Sequence, residues 1–393
     1  MNVLIAHGFE SNYTVGFARG LASNGVKLVV LSCDETERSL SAAGIQNVNI
    51  RGSQSENRSG RAKFINLLCY YWKLLLFFFH NRRSTIHFTG IFRNKLILFE
   101  GIILSLVFRA LGHQYIYTAH NILPHNRERS RLFRRVYRVV YSIPHFIVVH
   151  TQGARRALIE QFGVPDAKIR VISIGLNEEV PLVGLNQKEC RVRLGCDESS
   201  KLILFFGRID EYKGLDLLIE AFDSLRSPAT RLVIAGAFRS VAYGKRILGI
   251  IASARRRADI RLDARLIPND EVGIYFSASD VVCLPYRQIY QSGLLFLALR
   301  FGKPIVTTDV GSLAEFVTRD IGLVTHSNDA QGIANALMNF FASQDQFPRE
   351  RVLAIAEKYR WDHVCQILLP LYEPSVAHAE IPPFRSSPGS SCF

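Results

Sequence analysis

One short stretch carries a glycine and two cations at a spacing that suits an anion. In "LILFFGRIDEYKG" the apolar run at residues 202–206 stops at Gly207. Arg208, Lys213 and Gly214 follow, ahead of the amphipathic run "LDLLIEAF". A buried strand turning into a helix leaves backbone N–H groups and the positive end of a helix dipole at the junction, and both favour an anion. Gly207 lets the chain turn sharply and lets a ligand approach the main chain. Arg208 can grip phosphate oxygens with its planar fork, and Lys213 adds a compact charge to the same group. Two cations added to such a junction point to a doubly charged or larger anion, such as a diphosphate. The plain alternative is a pair of solvated cations on a domain surface.

A second junction repeats the logic. In "CLPYRQIYQSGLLFLALRFGKPIVTTD" a strand ends at Pro285, and a loop with Tyr286, Arg287, Gln288 and Gln291 follows. Ser292 and Gly293 then open an apolar helix that begins with Leu294 and stops near Gly302, before Pro304. Small residues at that helix start leave N–H groups open to a phosphate. Asp309 and Glu315 are the next acids along the chain. Glu315 is read either as a cleft acid or as a solvated helix cap.

In the first half, His120 ends a strand in "QYIYTAH", with Asn121, Pro124 and His125 after it. A lone histidine is more often structural, but a strand end is where a cleft residue belongs. Arg127, Arg129, Arg131, Arg134, Arg135 and Arg138 interleave with apolar residues. They suit a lipid-linked pyrophosphate or anionic headgroups, or else form a solvated helix face. The segment "HGFESNYTVGF", with Asn12 and Tyr13, is not G-x-G-x-x-G, so a nicotinamide dinucleotide site is poorly supported. It is placed on the acceptor side instead, together with His125 and Arg127.

These residues need strands and helices to hold them. Short apolar runs ("VLIA", "KLVVLSC", "STIHFTG", "QYIYTAHN", "HFIVVHT", "KIRVISIG") alternate with helical stretches through the first half. After a polar stretch the pattern restarts with "LILFFG", "TRLVIAG", "DIRLDARLI", "DVVCLPY" and "KPIVTTD". Alternation of this kind implies parallel sheets built from right-handed crossovers. A chain of 393 residues also exceeds one ordinary core. The expected fold is α/β, two doubly wound Rossmann-like domains facing across a cleft. The expected borders are 1–180, 181–355, a helix crossing back at 356–375, and a Pro/Ser-rich disordered tail at 376–393.

The chain carries 48 Lys and Arg against 34 Asp and Glu, a net charge of +14. That favours anionic partners. A nucleic-acid reader is disfavoured, because no recognition motif or aromatic–basic stacking platform accompanies the charge. Seven cysteines with no C-x-x-C pair argue for a reducing compartment rather than a disulfide framework. "MNVLIAHGF" lacks a charged n-region and a long apolar core, so no signal peptide is expected. The segment "FINLLCYYWKLLLFFFH" is strongly apolar with basic flanks, yet shorter than the ~20 residues of a spanning helix. It reads equally as a helix lying on a membrane surface and as a buried domain helix.

The residues quoted above, with "LVIAG", "TAHNILPH" and "SASDVVCLPYRQIYQSGLLFLALRFGKPIVTTDVGSLAE", resemble the family-four nucleotide-sugar glycosyltransferases of GT-B fold. The resemblance implies that Arg208 and Lys213 hold the donor diphosphate, with Gly207 and the backbone of Ser292, Gly293 and Leu294 completing the cradle. It implies that His120 contacts the donor sugar near the reacting centre. It places Ile267 and Pro268, in "LIPNDEVGIYF", at the nucleotide-base pocket, and Glu315 with the donor. It also implies retention, no metal and no cofactor beyond the sugar nucleotide. The expected product is a polysaccharide or a lipid-linked oligosaccharide, made at the cytoplasmic face of an anionic membrane. One departure stands out. Family members usually carry a glutamate before the second helix and another inside it, eight residues later. Here those positions fall on Ile289 and Leu297, and no acid occurs from residue 281 to residue 308. Gln288 or Gln291 are the candidates to take over hydroxyl contacts. The loss also keeps open a catalytically silent partner that retains the fold.

Overall fold

The computed structural model describes residues 3–6, 11–54, 59–90, 94–123, 130–226, 229–289 and 291–372. His125, Arg127 and the expected tail at 376–393 lie outside them. The chain divides into two compact units. The first takes residues 1–149, 158–170 and 365–393; the second takes 150–157 and 171–364.

In the first unit, β1 (Val3–Ala6), β2 (Leu28–Ser32), β3 (Asn47–Asn49), β4 (Thr85–Phe88), β5 (Gln114–Thr118), β6 (Phe146–Val149) and β7 (Ile169–Val171) form one sheet. Their order is β3-β2-β1-β4-β5-β6-β7. β2 and β4 are buried at every residue. Helices covering both faces of a parallel sheet require this burial, as in the apolar run that opens β2. A polar pair interrupts the apolar interior at β4. His87 is hydrogen-bonded through Nδ1 to the Tyr372 hydroxyl at 2.6 Å and through Nε2 to Thr118 Oγ1 at 2.7 Å. That bond anchors the returning C-terminal segment in the first unit.

The second unit repeats the design with β8 (Lys201–Phe206), β9 (Thr230–Ala235), β10 (Ile260–Asp263), β11 (Val281–Leu284), β12 (Ile305–Thr308) and β13 (Gly322–Thr325). Their order is β10-β9-β8-β11-β12-β13, and every pairing is parallel. Side chains alternate across β8: Leu202, Leu204 and Phe206 enter one core, Ile203 and Phe205 the other. The chain leaves β8 in one direction through β9 and β10, then returns to pair β11 on its other side. Strand order therefore reverses between β8 and β11. A doubly wound sheet opens a crevice at the carboxyl ends of such a strand pair.

By packing, the second unit takes in the residues from 171 onward and runs to Val364. Residues just after β7 are tied into the second unit. The Leu176 N–H donates to the Tyr359 carbonyl at 2.8 Å, and a Cβ on Gly175 would lie 2.2 Å from the Trp361 ring.

His150, directly after β6, is 3 % exposed, and its Nδ1–H donates to the Ile172 carbonyl at 3.2 Å. Burial lowers its pKa to about 4, against the smaller opposing effect of that hydrogen bond. The folded chain thus keeps this imidazole neutral where the unfolded chain binds a proton. Stability contributed by the neutral ring is complete above pH ~6.5 and is lost as pH falls towards ~4, by up to about 3 kcal/mol. Urea unfolding across that window should show an acid loss that His150→Asn reduces; an identical pH slope in the variant would assign it elsewhere.

Candidate functional site

The loops after β8 and β11 meet at the strand-order reversal. Gly207 follows β8 with φ of +91°, a conformation that disfavours any side chain. Its N–H donates to the Ala235 carbonyl at 2.9 Å, and a Cβ on Gly236 would lie 2.0 Å from the Gly207 carbonyl oxygen. The main chain at Gly207 is therefore clamped against the end of β9. A Cβ at Gly207 itself would come within 3.1 Å of Leu294 Cδ1 and 3.3 Å of Lys213 Nζ. Three residues singled out in the sequence thus converge on one point.

Arg208 is exposed and makes no hydrogen bond or ion pair among the described residues. Lys213 differs: it is only 7 % exposed, and its Nζ sits 5.7 Å from the centre of the Tyr286 ring. The short turn Glu211–Lys213 ends at Gly214, whose φ is +66°. A Cβ there would lie 2.0 Å from the Pro285 carbonyl oxygen, so the β8 loop is pressed onto the end of β11.

From Pro285 the chain passes Tyr286, which is buried, with its hydroxyl 3.3 Å from Ser292 Oγ. Burial raises that phenol well above its ordinary range, so it stays neutral. Ser292 is the N-cap of the helix Gly293–Arg300, yet its hydroxyl does not cap the first turn. A Cβ on Gly293 would meet nothing within 4 Å. The start of this helix faces open space, and open N–H groups at a helix start suit an anion.

Arg287, in the same loop, serves the scaffold. Its two guanidinium nitrogens fork onto Asp216 at 2.6 and 2.9 Å. Asp216 is buried and also receives the Tyr243 hydroxyl at 3.1 Å and Arg246 at 2.8 Å. Burial works to raise its pKa, but the hydrogen bond and charge of Arg287, with Tyr243 and Arg246, hold it below the usual carboxylate value. This carboxylate escaped the sequence reading. The available signal was an acid at the second position of "LDLLIEAF", among residues that are mostly core.

Gln288 is exposed and Gln291 half-buried, on either side of Ile289. Ile289 packs on the core, and a Cβ on Gly311 would press on its carbonyl oxygen. Leu297 lies inside the same core. Both positions where the resemblance leads one to expect glutamate are therefore apolar packing positions. Ile267 is also a core side chain, whereas Pro268 is exposed at the start of the helix Asn269–Ala278. The Glu315 carboxylate is engaged by the N–H groups of Gln152 at 3.0 Å and Gly153 at 3.1 Å. Asp309 takes the His326 Nδ1 at 2.8 Å.

In the first unit, His120 is buried just past β5, and its Nε2–H donates to the Thr89 carbonyl at 2.9 Å. Tyr13 packs edge-on against the imidazole with ring centres 4.6 Å apart, and Asn12 precedes it half-buried. The structure thus brings together Tyr13 and His120, which lie far apart in sequence. Burial, as the leading cause, raises the Tyr13 phenol far above its ordinary value.

Comparison with known proteins follows this division. Residues 186–358 match the family described as glycosyl transferases group 1, and residues 11–180 match glycosyltransferase family 4. The D-inositol 3-phosphate glycosyltransferase of Corynebacterium aurimucosum is 30% identical over 251 residues, covering 60% of this chain and 58% of that protein. Its counterpart from Stackebrandtia nassauensis is 28% identical, covering 61% and 56%. The chain therefore spans less than two thirds of the length of these curated relatives. Among solved structures, Anabaena HepE in complex with UDP and glucose superposes with a TM-score of 0.70 at 17% identity, covering 94% of this chain and 98% of that one. Sucrose-phosphate synthase from Thermosynechococcus elongatus gives 0.71 at 17% identity, covering 95% and 98%. With two Rossmann-like units of parallel sheet and a matching family model in each half, the chain belongs to the GT-B glycosyltransferases of the family-four type.

Proposed function

We propose that the chain transfers a hexose from a nucleoside-diphosphate sugar to a polysaccharide or a lipid-linked oligosaccharide, with retention and without a metal ion. The observation that carries this reading is Arg208, an exposed guanidinium without a protein partner among the described residues, beside Lys213 and Gly207 at the strand-order reversal. Negative charge builds on the leaving diphosphate as the glycosidic bond breaks. Fixed cations and helix N–H groups stabilise that charge more in the transition state than in the ground state. In this reading Gly293 and Leu294 supply N–H groups, Gln288 and Gln291 contact sugar hydroxyls, and His120 meets the donor sugar. Asn12 and Tyr13 belong to the acceptor side, with His125 and Arg127. The protein works peripherally at the cytoplasmic face of a membrane; no described helix is long and apolar enough to cross one.

A second reading is a silent partner that binds without turnover. It is favoured by Ile289 and Leu297, which leave the helix start without carboxylates. The test is thermal stabilisation by UDP, GDP, ADP and their sugars, followed by assay of nucleotide release. A ligand at a hundredfold its Kd adds about 2.7 kcal/mol, a rise of a few degrees. A shift for one nucleotide family with release of its diphosphate supports transfer. A shift without release on any acceptor promotes the silent partner, and no shift at all sinks the donor site.

A further inference from the structure

The outer helices of the first unit carry a surface that the donor site does not use. The helix Gly60–His80 buries Leu74, Phe77 and Phe78. Its other side exposes Phe64, Leu68, Trp72 and Leu76 at four-residue intervals, with Phe79 after them. Phe64 is 62% and Trp72 64% exposed. At 1.5 Å per residue this ridge runs about 20 Å. An ordinary surface helix turns polar residues outward, so a ridge of this kind marks a contact.

The segments packed against this helix expose further apolar side chains. A π-helical turn, Phe99–Leu104, runs into the helix Ser105–Ala110. This segment lies alongside the first helix, with Phe99 edge-on to Tyr71 at 4.9 Å and Phe108 to Phe78 at 4.7 Å. It exposes Ile103 and Leu106. The helix Arg131–Ser142 packs on Phe99–Leu104 and exposes Leu132. It also exposes Arg131, Arg134, Arg135 and Arg138. Arg61, Lys63, Lys73, Arg82 and Arg83 stand exposed along or just after the first helix. Across these three stretches of sequence the single acid is Glu100, which is buried and accepts the Tyr71 hydroxyl.

We propose that this face docks the protein on an anionic lipid bilayer, with the helix Gly60–His80 lying in the headgroup layer and its Phe64–Leu68–Trp72–Leu76 ridge towards the acyl chains. Charge decides the occupant. A second copy apposed through this face would bring like-charged arginines together, whereas anionic headgroups neutralise them. The apolar ridge suits the acyl boundary, where a tryptophan ring is at home. The proposal deepens the transferase reading, on which it rests only for its purpose, by naming the surface through which a lipid-linked acceptor is met.

The test floats the full chain with vesicles of phosphatidylcholine alone and of equal parts phosphatidylcholine and phosphatidylglycerol. Trp72 and Trp361 are the only tryptophans, and Trp361 is buried, so a blue shift of emission reports Trp72. The expected result is salt-sensitive flotation with the anionic vesicles and a blue shift. Each cation near such a surface is worth about fivefold in partitioning. Arg134→Glu with Arg135→Glu should therefore cut the bound fraction tenfold or more, as should Phe64→Ser with Trp72→Ser. All four side chains are exposed, and both variants should keep the parent thermal midpoint and any nucleotide shift. Absence of flotation with either vesicle overturns the proposal, as does undiminished flotation of both variants. A concentration-dependent dimer that Trp72→Ser disrupts, without vesicle binding, gives the face to a second copy instead. A nucleotide shift that survives failed flotation sinks this proposal alone; flotation without any nucleotide shift sinks the donor reading alone.

Discussion

Replacing Arg208 and Lys213 together by alanine should lower affinity for the preferred nucleoside diphosphate by at least about a hundredfold, read by titration calorimetry at fixed salt. Charge-assisted hydrogen bonds to a phosphate contribute roughly 1.5–3 kcal/mol each, and two of them are removed. The single variants should separate binding from folding. Arg208 is exposed and touches no described partner, so Arg208→Ala should leave stability within about 0.5 kcal/mol of the parent while weakening the nucleotide. Lys213 is buried beside Tyr286, so its truncation also opens a hole. Lys213→Met keeps most of the volume without the charge, and should reproduce the binding loss with less loss of stability. Parent-like affinity in the double variant would remove the diphosphate from this corner of the sheet.

Gly214→Ala should destabilise the second unit by about 3 kcal/mol or more, seen as a lower urea midpoint. The residue has φ of +66°, which costs a side chain about 1–2 kcal/mol. The new Cβ would also lie 2.0 Å from the Pro285 carbonyl oxygen, backbone that cannot swing aside like a side chain. Gly293→Ala is the control. Its Cβ meets nothing within 4 Å, so stability should hold. A loss below about 1 kcal/mol for Gly214→Ala would mean that the β8 and β11 loops yield independently.

The strand–glycine–helix junctions were legible because their cause is local. An apolar run, a glycine at its end and an amphipathic run after it fix Gly207 and Gly214 without distant partners. Convergence of Leu294 on Gly207 was inferred only through the family resemblance, since the two belong to different strand loops. The Arg287–Asp216 pair could not be read at all. Seventy-one residues separate the partners, and a carboxylate at a helix start looks the same whether it faces water or three side-chain donors. Glu315 shows the same limit, because its partners at Gln152 and Gly153 lie in the far half of the sequence. The helix Gly60–His80 stayed ambiguous for another reason. It is apolar on both sides, so periodicity cannot separate the side that meets the sheet from the side that does not.

The Asp216 cluster also bears on redesign. One carboxylate ties the helix after β8, through Tyr243 and Arg246, to the helix after β9, and through Arg287 to the β11 loop. If the β11 loop contacts the donor sugar as proposed, it is where a protein engineer would transplant a segment from a relative to change sugar preference. Such a chimera inherits a constraint from outside the segment. A donor loop lacking a fork-shaped cation at the Arg287 position leaves Asp216 with one charged partner fewer in a buried setting. Loop swaps at this sheet should therefore succeed as matched sets, with the loop and the acid it lands on moved together.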